Sequence, residues 1–89
     1  MPPIRAPHLV LYSREYCHLC QDMLAALDSL RGEFAFAVTV LDIDADAELL
    51  ARYDERVPVL MAGEGEEARE LCHYFLNVAA VRAYLGQLG

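Results

Sequence analysis

Residues 9–20 read Leu9-Val10-Leu11-Tyr12-Ser13-Arg14-Glu15-Tyr16-Cys17-His18-Leu19-Cys20. An apolar, strand-forming run breaks at the polar turn Ser13-Arg14-Glu15 and ends in two cysteines separated by two residues. Behind them, Cys20, Met23, Leu24, Leu27 and Leu30 recur at helical spacing, so the pair sits between a strand and a helix. Two thiols so placed form a redox-capable pair. Backbone N–H groups and the dipole at a helix start favour negative charge, and Cys17 is therefore expected to be partly thiolate near neutral pH. Cys20 shares the apolar face of the helix and is expected to be shielded. The expected division of labour makes Cys17 the exposed nucleophile and Cys20 the resolving thiol that attacks a mixed disulfide from the protein side.

Working outward, Pro2, Pro3 and Pro7 keep the N-terminus extended before a strand at about Leu9–Tyr12, and His8 has no expected role. The first helix is predicted over His18–Arg31, with Gly32 as its left-handed terminator. Phe34–Ile43 is almost continuously apolar, the pattern of a strand buried on both faces of a parallel sheet. Strand, helix and strand in this order imply a right-handed βαβ unit. Asp44 or Asp46 can cap a second helix at about Ala45–Asp54, with Leu49, Leu50 and Tyr53 inward. Asp42, Asp44, Asp46 and Glu48 lack the glycine and terminal glutamate of a calcium loop, so capping and a solvated face account for them. Pro58 precedes an apolar run, Val59–Ala62, as a strand tolerates proline only at its start or on an edge. Gly63–Glu66 reads as a turn and Arg69–Tyr74 as the returning strand of a hairpin. Asn77 can cap a last helix that carries Val78, Val81, Leu85 and Leu88 on one face. The order is βαβαββα: an α/β domain over residues 1–89, with a four-stranded mixed sheet flanked by three helices.

With 89 residues the chain holds one small core. Its formal net charge of −7 and lack of any basic stripe argue against nucleic acid as a partner. All seven basic residues are arginines, and Arg14 and Arg56 flank the candidate site, either lending it local positive charge or standing as solvated surface residues. Met1–Pro7 has no apolar stretch of signal-peptide length, and no later run approaches a membrane span. A cytoplasmic monomer without membrane partners is expected, and in that compartment C-x-x-C is more often catalytic or metal-binding than structural.

Tyr12–Cys20 pairs a strand-end aromatic, a hydroxyl residue and a cation three before the first cysteine with C-x-x-C. Together with Arg56-Val57-Pro58-Val59-Leu60, this segment resembles the active-site pieces of glutaredoxins, and the chain as a whole is similar to a divergent glutaredoxin-like group. The resemblance implies a thioredoxin-like fold and thiol–disulfide oxidoreductase activity on a thiol or disulfide substrate, either a protein or glutathione. It implies no bound cofactor, with glutathione as a candidate co-substrate. It further implies that Pro58 follows a cis bond and faces the cysteines, leaving the Val57 backbone to pair with a bound peptide or thiol. By the same resemblance Arg14, Tyr16 and Val57 are candidate contacts to glutathione, and Tyr16 is either a lid over the disulfide or a packing residue. His18 stands where such proteins more often carry proline or glycine; an imidazolium there either stabilises the Cys17 thiolate or is simply solvated. Glutaredoxins that hold glutathione well follow the last strand with a glycine pair and an aspartate, where this chain has Cys72-His73-Tyr74-Phe75.

Two rival readings stay open. One is a binding module that keeps the fold without turnover. The other is a metal or iron–sulfur site built from Cys17, Cys20, Cys72 and His73, which are suitable ligand types. Adjacent strand residues point to opposite faces, however, so Cys72 and His73 do not converge, no metal is expected, and Cys72 reads as a small apolar strand residue.

Overall fold

Alternating apolar residues place Leu9 and Leu11 on one face of strand β1 (His8–Ser13), and both are buried. The computed structural model describes residues 7–15, 17–63 and 68–88, and all structural statements concern these. Helix α1 (His18–Asp28) follows and passes into a 3-10 turn over Ser29–Gly32. Strand β2 (Ala37–Asp42), a second 3-10 turn (Ile43–Ala45), helix α2 (Ala47–Tyr53), strands β3 (Val59–Ala62) and β4 (Arg69–His73), and helix α3 (Val78–Leu88) complete the chain. The sheet order is β2-β1-β3-β4, with β1 parallel to β2 and antiparallel to β3, and β3 antiparallel to β4. This is the expected βαβαββα order and mixed sheet.

The core lies on one face of the sheet. Leu9, Leu11, Leu60 and Ala62 from the strands meet Met23 and Leu27 of α1 and Val81 and Leu85 of α3. The opposite face is covered at one end, where Tyr53 of α2 stacks on Tyr12 with ring centroids 4.6 Å apart. A register shift between Leu60 and Met61 sets one extra residue, Leu71, into β4. Leu71 and Cys72, adjacent in sequence, consequently both pack against the core cluster, while His73 is exposed.

Several local expectations hold. The Asp46 side chain accepts from the Glu48 and Leu49 N–H groups at 2.9 and 3.2 Å and caps α2. Asn77 accepts from Ala80 N–H at 3.0 Å and caps α3. Leu49, Leu50 and Tyr53 are half-buried.

Two expectations are corrected. Strand β2 is shorter than predicted and is an edge, not a strand buried on both faces: Val40 is 48% and Leu41 38% exposed. The apolar run divides its work, since Phe36 and Ile43, on either side of β2, are buried while the strand between them is paired on one side. Gly32 ends the first helical segment inside a 3-10 turn rather than in a left-handed conformation; among the described residues the glycine with positive φ is Gly63, at 84°, at the end of β3. His8, given no role from sequence, bonds through Nε2 to Thr39 Oγ1 across β1 and β2 at 2.5 Å.

Candidate active site

The C-terminal end of β1 delivers the chain to Cys17, whose extended backbone (φ −100°, ψ 105°) makes it the N-cap of α1. The first turn of a helix has N–H groups without intrahelical acceptors, and here the Cys17 Sγ accepts one of them, from Cys20 N, at 3.1 Å. The Cys17 carbonyl already accepts from Gln21 N–H at 3.2 Å. No carboxylate stands in the first turn to oppose a negative sulfur. Cys17 and Cys20 are joined as a disulfide, with their Cα atoms 5.2 Å apart. Cys17 is half-buried, whereas Cys20 is 3% exposed on the helix face that carries Met23 and Leu27. Of the two sulfur-bearing residues, Cys17 is therefore the more accessible to solvent. His18 occupies the first helical position with its side chain exposed. Tyr16 lies outside the described residues.

Strand pairing brings the second motif to the same end of the sheet. Tyr12 at the end of β1 is opposite Val59, and Val59 in turn is opposite His73 of β4. The residues just before Val59 and just after His73 thus share the sheet end at which Cys17 opens α1. Val57-Pro58 is a cis peptide, as expected, and Pro58 is buried. The Val57 N–H, however, is donated to Tyr53 O at 3.2 Å, so the expectation that the whole Val57 backbone is open to a substrate is corrected for its donor.

The sequence did not single out what holds this loop. Tyr74 donates its N–H to Pro58 O at 2.9 Å and its hydroxyl to Glu55 O at 2.5 Å. Phe75 N–H returns to His73 O at 2.7 Å, closing a γ-turn around Tyr74, whose φ of 63° lies in the left-handed region that side chains seldom adopt. Glu70 adds a further tie, pairing with the Arg56 guanidinium through one oxygen and with His73 Nδ1 through the other, at 3.0 Å.

Arg14 and Arg56 do not make the rim positive. The Arg14 guanidinium grips Asp44 through Nε and Nη2 at 3.0 to 3.2 Å and reaches Asp54 at 2.6 Å, linking the end of β1 to both ends of the α2 region. Two carboxylates against one cation leave that corner net negative. Beside it an open groove is lined by Ser13, Arg14, Glu15, Gln21, Val40 and Asp42.

Cys72 is a half-buried free thiol. Burial pushes it above the ordinary thiol range and Glu70 adds to this, against a lowering hydrogen bond from the Asn77 backbone. Among the described residues no three histidine, cysteine or acidic side chains gather as a metal site would require.

The family model described as a glutaredoxin-like domain (DUF836) matches residues 8–86. No curated protein matches the chain. Among solved structures, the protein Ne2328 from Nitrosomonas europaea is 42% identical, with 96% of this chain and 98% of that one covered at a TM-score of 0.80. The protein XcR50 from X. campestris is 38% identical, over 89% of this chain and 96% of that one, at a TM-score of 0.65. At 13% identity, oxidized mitochondrial thioredoxin 3 from Saccharomyces cerevisiae superposes over 93% of this chain and 79% of its own, with a TM-score of 0.66, a likeness of fold. No helix among the described residues is long and apolar enough to cross a membrane.

Proposed function

The chain belongs to the glutaredoxin-like domain family, and from that premise we propose that it is a thiol–disulfide oxidoreductase with Cys17 as nucleophile and Cys20 as resolving thiol. The observation that carries the reading is the asymmetry of the pair: two bonded sulfurs at a helix start, the outer one approachable and the inner one packed beneath it.

The Cys17 thiolate attacks one sulfur of a substrate disulfide, forming a mixed disulfide and releasing the first substrate thiolate. Cys20, deprotonated, then attacks Cys17 Sγ; the Cys17–Cys20 bond forms and the second substrate thiolate leaves. The substrate gains two electrons, and the protein returns to its dithiol form by oxidising either a dithiol or two molecules of a monothiol such as glutathione. The Cys20 N–H that points at Cys17 Sγ, with the dipole of α1 behind it, stabilises the sulfur when it is anionic, as attacking thiolate and as leaving group. His18, beside Cys17, borders the approach. The Val57 carbonyl pairs with the substrate backbone over Pro58, and Arg14, its charge offset by Asp44 and Asp54, offers the N–H donors they leave over to a neutral acceptor such as a substrate carbonyl. The substrate is a protein disulfide or glutathione, no resident cofactor takes part, and a monomer working in the reducing cytoplasm fits this chemistry.

The test is trapping. In a Cys20→Ser variant a protein disulfide or oxidised glutathione should leave a mixed disulfide on Cys17, seen by mass, and wild-type protein equilibrated against glutathione and thioredoxin couples should show a defined potential. A Cys17 that alkylates no faster than free cysteine and traps neither partner would refute the reading and leave a binding module of the same fold.

A further inference from the structure

We propose that Tyr74 is a positioning residue of the exchange site, holding both ends of the Glu55–Pro58 loop in place for a polypeptide disulfide substrate. The inference rests on the exchange reading above and deepens it. Tyr74 reaches the loop twice, through its N–H to Pro58 O at 2.9 Å and through its hydroxyl to Glu55 O at 2.5 Å. Arg56 and Val57 lie between those two anchors, and Arg56 is tied independently to Glu70 of β4.

The cost of this arrangement identifies its purpose. Tyr74 stands at φ 63°, where glycine would sit without a steric penalty, so the turn itself gains nothing from a side chain. The hydroxyl bond does not serve the core either, since Tyr74 is 39% exposed and Glu55 is exposed. What the hydroxyl fixes is the far end of a loop whose near end, at Pro58, leads into β3 beside the end of β1 and the cysteines. The Val57 N–H is taken up by Tyr53, so the proposal assigns substrate pairing to the Val57 carbonyl, which lies in the chain between the two Tyr74 anchors. A polypeptide lying across the sheet end uses that carbonyl. A small disulfide needs only Cys17.

The test compares Tyr74→Phe, which keeps the ring and the N–H bond, with wild type on two substrates, insulin and hydroxyethyl disulfide, with dithiothreitol as reductant. Loss of one such hydrogen bond predicts a KM for insulin raised about threefold to tenfold with kcat within about twofold, and hydroxyethyl disulfide turnover within about twofold. An unchanged insulin KM overturns the proposal. So does a parallel loss on both substrates accompanied by a lowered thermal midpoint, the signature of a residue that serves only folding. A wild type that turns over neither substrate removes the exchange reading and this one with it, whereas an active wild type with an unaltered Tyr74→Phe removes the Tyr74 role alone.

Discussion

The left-handed backbone at Tyr74 can be weighed by replacing the residue with glycine and, separately, with alanine. Both changes delete the hydroxyl bond to Glu55 and the edge-on contact with the His73 ring, whose centroid lies 4.8 Å away, so these losses cancel when the variants are compared with each other. What differs is the Cβ. At φ 63° a Cβ costs about 1–2 kcal/mol, and glycine loses roughly 0.5–1 kcal/mol more conformational freedom on folding, so Tyr74→Gly should be more stable than Tyr74→Ala by about 0.5–1 kcal/mol. For a domain of this size that corresponds to a midpoint roughly 2–8 °C higher on thermal unfolding, with a matching shift in urea followed by far-UV circular dichroism. Against wild type, glycine gives up the ring contact, about 0.5–1.5 kcal/mol of hydrogen bond and the same roughly 0.5–1 kcal/mol of conformational freedom, against about 1–2 kcal/mol of recovered strain, so it should be less stable than wild type by about 1 kcal/mol or less. An alanine variant as stable as the glycine variant would show that residue 74 is not held left-handed, and the γ-turn that joins β4 to the loop would have to be redrawn.

Leu27→Ala, at a position with no exposure between α1 and the sheet, should cost about 2–5 kcal/mol in urea unfolding; a loss under about 1 kcal/mol would move Leu27 out of the core. Asp46→Ala removes an acceptor for two N–H groups and should cost about 0.5–2 kcal/mol while leaving disulfide exchange at Cys17 intact. For Cys72 the thiol is raised, so at a given pH less of it is thiolate than in free cysteine. In a Cys17→Ser, Cys20→Ser background its alkylation should therefore lag free cysteine at neutral pH and go on rising at alkaline pH after free cysteine has levelled off. Alkylation at the free-cysteine rate across that range would show that β4 does not shield it.

Periodicity and punctuation carried most of the fold. The alternation of Leu9 and Leu11, the helical spacing from Cys20 to Leu27 and the capping residues Asp46 and Asn77 are signals a few residues long, and each is found where those signals place it. The error at β2 has a physical origin: an apolar run reports that a segment is compatible with burial, but strand order decides which strand becomes an edge, and that order depends on pairings between distant residues. Charge partners escaped for the same reason. Arg14 meets Asp44 and Asp54, 30 and 40 residues away, and no local pattern announces that its charge is already neutralised. Tyr74 was hidden differently, because a left-handed turn is ordinarily marked by glycine or asparagine and here a tyrosine fills it. The candidate cysteines were legible since their chemistry depends on spacing alone, whereas the Glu55–Pro58 loop at the same end of the sheet is held by bonds to the end of the last strand.

The sheet order carries a last consequence. From Leu9 to Tyr12 every residue of β1 is bridged to β2 on one flank and β3 on the other, while β2 has no strand beyond it among the described residues. Deuterium diffusing into the folded protein should exchange with the outward amides of β2 on the timescale of fraying, yet enter β1 only when the whole domain opens. A protection map would thus draw the two interior strands, β1 and β3, as the slowest lines in the molecule, and the first of them runs straight into the turn before Cys17.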